Sequence, residues 1–319
     1  MSRDEFTFIA EVLAPLAAGM PGALGLADDA ALVACPPDRE LVVTKDALVL
    51  GVHALPDDPP DLVARKLLRV NLSDLAAMGA EPLGYLTALL RPRELEDAWL
   101  EAFAAGLAED QQRFGLGLLG GDTVATPGPF AATLTAIGTV PRGRVLRRRG
   151  ARPGDDLWVS GTLGDAALGL RILRGLAVPD EDAGPFVQRY RLPEPRLALG
   201  VALRDLARAV VDVSDGLLQD LDHLCRASGV GARIELARLP VRAAARAIPG
   251  WREAALAGGD DYELLFAAPP EVRGRIAELS ARLGLPLTRI GTVVTGSGVE
   301  VRDEAGRPVT PATTGFRHF

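Results

Sequence analysis

Val210-Val211-Asp212-Val213-Ser214-Asp215-Gly216-Leu217-Leu218-Gln219-Asp220-Leu221-Asp222-His223-Leu224 is the stretch on which the fold turns. Three of its first four residues are apolar and spell a short buried strand, while Leu217, Leu218, Leu221 and Leu224 recur at helical spacing. Asp212, Ser214, Asp215 and Gly216 therefore sit where a strand hands over to a helix, and in open α/β sheets ligands bind at the carboxyl ends of strands. One Ser214 or Asp215 alone would read as a helix N-cap. Recurrence of such acids elsewhere tips the reading toward a site.

Outward from this segment, the same layout repeats. Gly25-Leu26-Ala27-Asp28-Asp29-Ala30-Ala31 is a turn carrying adjacent acids, and Leu41-Val42-Val43 is a short strand followed by Thr44-Lys45-Asp46. Pro59-Pro60 opens a helix to about Met78, on which Asn71 and Asp74 share one face while Leu67, Leu68, Leu72 and Leu75 form the apolar stripe. The short run Leu116 to Leu119 delivers Gly120-Gly121-Asp122-Thr123, and Gly258-Gly259-Asp260-Asp261 precedes a strand from Tyr262 to Ala267. Glu5 to Ala18 and Glu94 to Phe114 read as helices, Leu83 to Leu90 and Phe130 to Val140 as strands, and Val178 to Pro195 as irregular. The alternation predicts an α/β (α+β-like) fold in two domains. Arginines interleaved with glycines from Arg142 to Gly154 mark the boundary, giving domains 1–142 and 143–319.

A formal net charge of −7 over 319 residues argues against a nonspecific nucleic-acid binder. No apolar run is long enough to span a membrane, and the N-terminus lacks a signal-peptide layout, so a cytoplasmic location is expected. Cys35 and Cys225 make no disulfide framework and are expected to be small core residues. Lys45 and Lys66 are the only lysines in an arginine-rich chain.

If several of the turn acids converge, their repulsion opposes folding unless cations neutralise them. A carboxylate-rich set favours Mg²⁺ or Ca²⁺ over Zn²⁺, and Mg²⁺ held by carboxylates normally also holds substrate phosphates. Phosphoryl transfer is the reaction class that follows. There is no Gly-x-x-x-x-Gly-Lys-Ser/Thr loop, no protein-kinase catalytic loop and no Gly-x-Ser-x-Gly elbow, so nucleotide has to be held by another scaffold.

The ordered series of segments resembles the thiamine-monophosphate kinase family, of the superfamily that includes aminoimidazole ribonucleotide synthetase. The resemblance rests on Gly25 to Ala31, Val43 to Asp46 with Gly51-Val52-His53, Asn71 to Pro82, Gly120 to Thr123, Asp212 to Leu217, Gly258 to Leu265 and Gly315 to Phe319. It implies transfer of the γ-phosphoryl group of ATP to thiamine monophosphate, with several Mg²⁺ ions. It also implies an N-terminal α/β domain that dimerises through its sheet, and a C-terminal α/β domain. By carry-over, Asp28, Thr44, Asp46, Asp74, Asp122, Asp212 and Asp215 hold metal, with Asp46, Asp122 and Asp212 central to catalysis. Gly121, Asp122, Arg148 and Ser214 contact ATP; His53, Asp260 and Phe316 face thiamine monophosphate. Three positions depart from the pattern: Ala27 for glycine, Asp260 for glutamate, and Lys45 for Ser or Thr. An aminoimidazole ribonucleotide synthetase-like enzyme and a catalytically silent nucleotide-binding homologue are the alternatives.

Overall fold

The computed structural model describes residues 5–316; Met1 to Asp4, and Arg317, His318 and Phe319 of the terminal segment, lie outside the described residues. Two compact units divide the chain: Met1–Leu75 with Ala80–Gly143, and Ala76–Gly79 with Arg144–Phe319.

The first unit opens with α1 (Glu5–Phe8), then builds a sheet from β1 (Arg39–Val49), β2 (Glu81–Pro92), β3 (Gly117–Thr126) and β4 (Ala131–Pro141), in the order β1-β4-β2-β3. β4 runs antiparallel to both β1 and β2, while β2 and β3 are parallel. Two long helices accompany the sheet, α2 (Pro60–Ala77) and α3 (Asp97–Phe114). The α2 stripe Leu67, Leu68, Leu72 and Leu75 is fully buried, as are Leu134 and Ala136 of β4. Gly106 lets α3 approach α2, since a Cβ there would lie 2.2 Å from the Asp61 carbonyl oxygen. Arg69 Nε donates to Asp110 Oδ2 at 2.6 Å, and Arg65 Nε donates to the other oxygen at 3.1 Å, so the buried carboxylate ties the two helices.

The second unit carries a seven-stranded mixed sheet, ordered β11-β10-β7-β9-β5-β8-β6. Its strands are β5 (Asp156–Ser160), β6 (Ala209–Asp212), β7 (Gly231–Glu235), β8 (Leu264–Ala268), β9 (Leu287–Val294), β10 (Gly298–Arg302) and β11 (Pro308–Val309). Its helices are α4 (Asp165–Leu173), α5 (Asp180–Arg191), α6 (Leu197–Leu203), α7 (Leu217–Ser228), α8 (Trp251–Ala257) and α9 (Arg273–Leu283). Every residue of β6 and β8 is buried. Ala209, Val211, Leu265 and Ala267 join one core with α7 and α8, whereas Val210, Leu264 and Phe266 join another with α6 and α9. Burial on both faces is why β8 and the first three residues of β6 read as apolar runs. No described helix is long and apolar enough to cross a membrane.

Several local expectations are corrected. Glu5 to Ala18 is not one helix: α1 passes into a π-helical turn over Ile9–Leu13 and a 3-10 turn over Ala14–Ala17, where Pro15 lacks an N–H to continue the ladder. The acids after Leu41-Val42-Val43 and after Leu119 do not lie in turns, because β1 and β3 run straight through Thr44-Lys45-Asp46 and Gly120-Gly121-Asp122-Thr123. Val178 to Pro195 contains α5, with Pro185 inside it. β8 starts at Leu264, since Tyr262 takes a left-handed φ of 50°. Cys35 is exposed, and only Cys225 is a core residue.

Candidate functional site

Because successive residues of a strand point to opposite faces, β1 sorts its own candidates. Thr44 and Asp46 lie on the same side as buried Val42 and Leu48, whereas Lys45 lies with exposed Leu41 and Val43. On the covered side, Thr44 Oγ1 donates to Asp74 Oδ2 of α2 at 2.5 Å. Asn71 Oδ1 accepts the backbone N–H of Asp46 at 3.1 Å, and its amide nitrogen donates to the Leu67 carbonyl at 2.9 Å. Thr44, Asp46 and Asp74 are thus brought together. His53 sits in the turn after β1, where its Nδ1 accepts the Val49 N–H at 3.0 Å and its carbonyl accepts from Lys66 Nζ at 3.0 Å. An accepting Nδ1 leaves the imidazole proton on Nε2.

The other face of the same sheet is open. A cleft of about 610 Å³ lies there, lined by Asp28, Asp29, Lys45, Thr135, Gly121 and Asp122 among others. Strand register explains the grouping: Lys45 stands opposite Thr135 of β4, Thr135 opposite Leu86 of β2, and Leu86 opposite Gly120 of β3. Asp122 belongs to the next row with Thr133 and Ala88. The expected metal set is therefore split across the sheet, with Asp28 and Asp122 on one side and Thr44, Asp46 and Asp74 on the other. Ala27 takes φ −106°, a conformation that asks for no glycine.

In the second unit, the strand-to-helix turn is built as a clamp. Asp220 Oδ2 accepts the N–H groups of Ser214, Asp215 and Gly216 at 3.0, 3.1 and 3.1 Å. Burial pushes the Asp220 carboxyl up to about 7, and the neighbouring Asp215 charge adds to the rise. The glycine-rich loop before β8 is stitched to this turn: Asp260 N–H donates to Ser214 O and Tyr262 N–H to Val213 O, both at 2.8 Å. Asp260 holds a left-handed φ of 71°, which a non-glycine residue adopts only when its surroundings impose it. Phe316 N–H donates to Asp215 O at 3.0 Å, and Gln219 Nε2 donates to Asp215 Oδ2 at 2.9 Å. Asp212, Ser214, Asp215, Asp260 and Phe316 are hence gathered around one turn, with Asp212 buried and Phe316 exposed. Arg148 is exposed, its carbonyl accepting from Ser228 Oγ at 3.2 Å.

Both halves of the chain match family models: AIR synthase related protein, N-terminal domain, over residues 27–140, and AIR synthase related protein, C-terminal domain, over residues 152–304. A thiamine-monophosphate kinase from Caulobacter vibrioides is 47% identical over 98% of this chain and 90% of its own length. The chain belongs to the thiamine-monophosphate kinase family. A crystal structure of thiamine-monophosphate kinase from Stenotrophomonas maltophilia superposes with a TM-score of 0.86 at 42% identity, covering 97% of this chain and 99% of the other. AaThiL complexed with AMPPCP and TMP gives a TM-score of 0.79 at 32% identity, covering 99% and 97%.

Within this member of the thiamine-monophosphate kinase family, two buried acids that hold the turns are not marked as such by their local sequence. Asp220 has only a general signal, an acid in the first turn of a helix. Glu263 has none: it is fully buried, accepts from Ser160 Oγ at 2.6 Å and Arg189 at 2.7 Å, and pairs with Arg196 Nε at 2.7 Å. Asp261, expected among the turn acids, caps α4 instead, accepting the N–H groups of Gly164 at 2.6 Å and Ala166 at 3.3 Å. Among the described residues, no three His, Cys, Asp or Glu side chains group closely enough to hold a metal ion. Oxygen donors arriving in ones and twos, with no His or Cys, still suit Mg²⁺, which keeps waters and takes substrate phosphate oxygens to fill its shell.

Proposed function

We propose that this chain transfers the γ-phosphoryl group of ATP to thiamine monophosphate, giving thiamine diphosphate and ADP. The observation that carries the reading is the match along nearly the whole chain to AaThiL complexed with AMPPCP and TMP, at 32% identity. The oxygen-only donors on both faces of the first sheet and at the Asp212 to Asp215 turn agree with it.

An oxygen of the thiamine monophosphate phosphate attacks the γ-phosphorus in line; the new P–O bond forms as the bond to the β,γ-bridging oxygen breaks, and ADP departs with that electron pair. A phosphate monoester with a second pKa of about 6 is already mostly dianionic at neutral pH, so the acceptor requires no strong general base. The protein's task is positioning and charge neutralisation. Asp28, Asp122, Thr44, Asp46 and Asp74 in the first unit, and Asp212 and Asp215 in the second, would hold Mg²⁺. When bound, Mg²⁺ offsets the charge of donor and acceptor phosphates. Gly121, Ser214 and Arg148 serve the nucleotide. His53 and Asp260 serve the acceptor, and the exposed Phe316 ring offers a π-face to the cationic thiazolium.

A homodimer formed through the first sheet belongs to the same reading. Leu41, Val43 and Val124 leave apolar side chains exposed on that sheet, an arrangement that marks association surfaces. Light scattering on the purified chain decides it: Val43→Glu shifts a dimer toward monomer, and a wild-type monomer removes the assignment. Incubation with Mg²⁺, ATP and thiamine monophosphate, followed by chromatography for thiamine diphosphate, tests the activity itself.

A further inference from the structure

Lys45 is the one basic residue among the described residues lining the open cleft, which Asp28, Asp29 and Asp122 also line. The chain's other lysine, Lys66, is buried and donates to the His53 carbonyl, so Lys45 carries the only exposed ammonium among the described residues. It is set there by the pleat: Thr44 and Asp46 on either side of it turn to the helix-covered face. Three strand spacings separate β1 from β3, about 14 Å, so Lys45 stands across the cleft from Asp122 rather than paired with it. A cleft with carboxylates on one wall and an ammonium on the other does not neutralise itself. It suits a ligand that presents anionic oxygens to the lysine and metal-bound oxygens to the acids. An ammonium on a flexible stem is a point-charge phosphate binder.

We propose that Lys45 is a substrate-binding residue of the phosphoryl-transfer site, its ammonium contacting a non-bridging oxygen of the bound polyphosphate and supplying positive charge that divalent metal would otherwise have to bring. The assignment rests on the phosphoryl-transfer reading above and deepens it. Lys45→Met keeps the length and apolar stem of the side chain and removes the charge. Lys45→Arg keeps the charge, and Lys45→Thr replaces it with a hydroxyl oxygen.

Titration calorimetry with AMPPCP over a series of Mg²⁺ concentrations reads the contact without turnover. At fixed Mg²⁺, Lys45→Met is expected to bind AMPPCP on the order of tenfold more weakly, the size of a lost charge-assisted hydrogen bond. Its Mg²⁺ midpoint moves to higher concentration. Lys45→Thr regains affinity only at high Mg²⁺, and Lys45→Arg stays close to wild type. Circular dichroism melts and light scattering of the variants should match wild type, which separates a lost phosphate contact from lost folding or association. Equal affinity and equal Mg²⁺ dependence in wild type and Lys45→Met would overturn the assignment. Wild-type protein that binds AMPPCP in a Lys45-dependent way but forms no thiamine diphosphate keeps the Lys45 contact and removes the acceptor assignment. Wild-type protein that does not bind AMPPCP removes both.

Discussion

Asn71 Oδ1 accepts the backbone N–H of Asp46 at 3.1 Å, so a buried helix amide fixes the height of the strand that carries a proposed metal ligand. Its amide nitrogen is spent on the Leu67 carbonyl at 2.9 Å, which fixes the orientation of the group. Replacing Asn71 by Leu removes this acceptor from the half-buried Asp46 N–H, at a cost of about 1 kcal/mol. Denaturant melts should report that loss. The kcat should fall further than stability alone explains, because Asp46 is no longer held in register.

Asp220 gives the protein a pH signature. Its folded pKa of about 7 lies above the ordinary carboxylate value of 3.8, so the folded chain holds a proton that the unfolded chain releases. The stability it contributes is complete below about pH 4 and is lost as pH rises through about 7. In metal-free protein, Asp220→Asn should flatten the pH dependence of the melting temperature over that window. An unchanged slope would show that Asp220 titrates like an exposed acid.

Glu263 is the buried anion between Arg189 and Arg196. Removing its charge takes from Arg189 and Arg196 the carboxylate they share, and breaking a buried pair costs about 3–5 kcal/mol. Glu263→Gln should therefore lower the unfolding free energy by that amount in urea titrations, and loosen the Asp260 loop that leads into it. A loss below about 1 kcal/mol would mean that solvent already screens the network.

Thiol labelling separates the two cysteines. Cys225 is buried in α7, and burial, with the Asp222 charge adding, pushes its thiol up to about 12; Cys35 is exposed. Reactivity follows the thiolate. Native protein is expected to take up one equivalent of a thiol reagent, at Cys35, and denatured protein two.

How far the sequence carries is clearest on β1, β6 and β8. The apolar runs at β6 and β8, the leucine stripe of α2 and the strand-to-helix turn at Asp212 to Gly216 are legible because burial on one or two faces writes itself into composition. Thr44, Lys45 and Asp46 break the apolar run of β1, so the sequence shows only Leu41-Val42-Val43 as a strand. An eleven-residue ladder against β4 extends the strand through them, since backbone hydrogen bonds disregard side-chain polarity. That extension is also what sends Lys45 and Asp46 to opposite faces, a sorting that a turn would not produce. Arg189 and Arg196 reach Glu263 across 74 and 67 residues, and no local pattern encodes such a contact. α5 was hidden by Pro185, which lies in the helix despite its cost there.

The central claim is that scattered oxygen donors serve Mg²⁺-dependent phosphoryl transfer from ATP to thiamine monophosphate. The most direct measurement is chromatography of thiamine diphosphate and ADP formed by wild type, Asp46→Asn and Asp212→Asn, with and without Mg²⁺. The account predicts equal amounts of the two products from wild type, none without Mg²⁺, and a loss of about a hundredfold or more in each variant with circular dichroism unchanged. ATP consumed without thiamine diphosphate, or near-normal turnover in both variants, would contradict it.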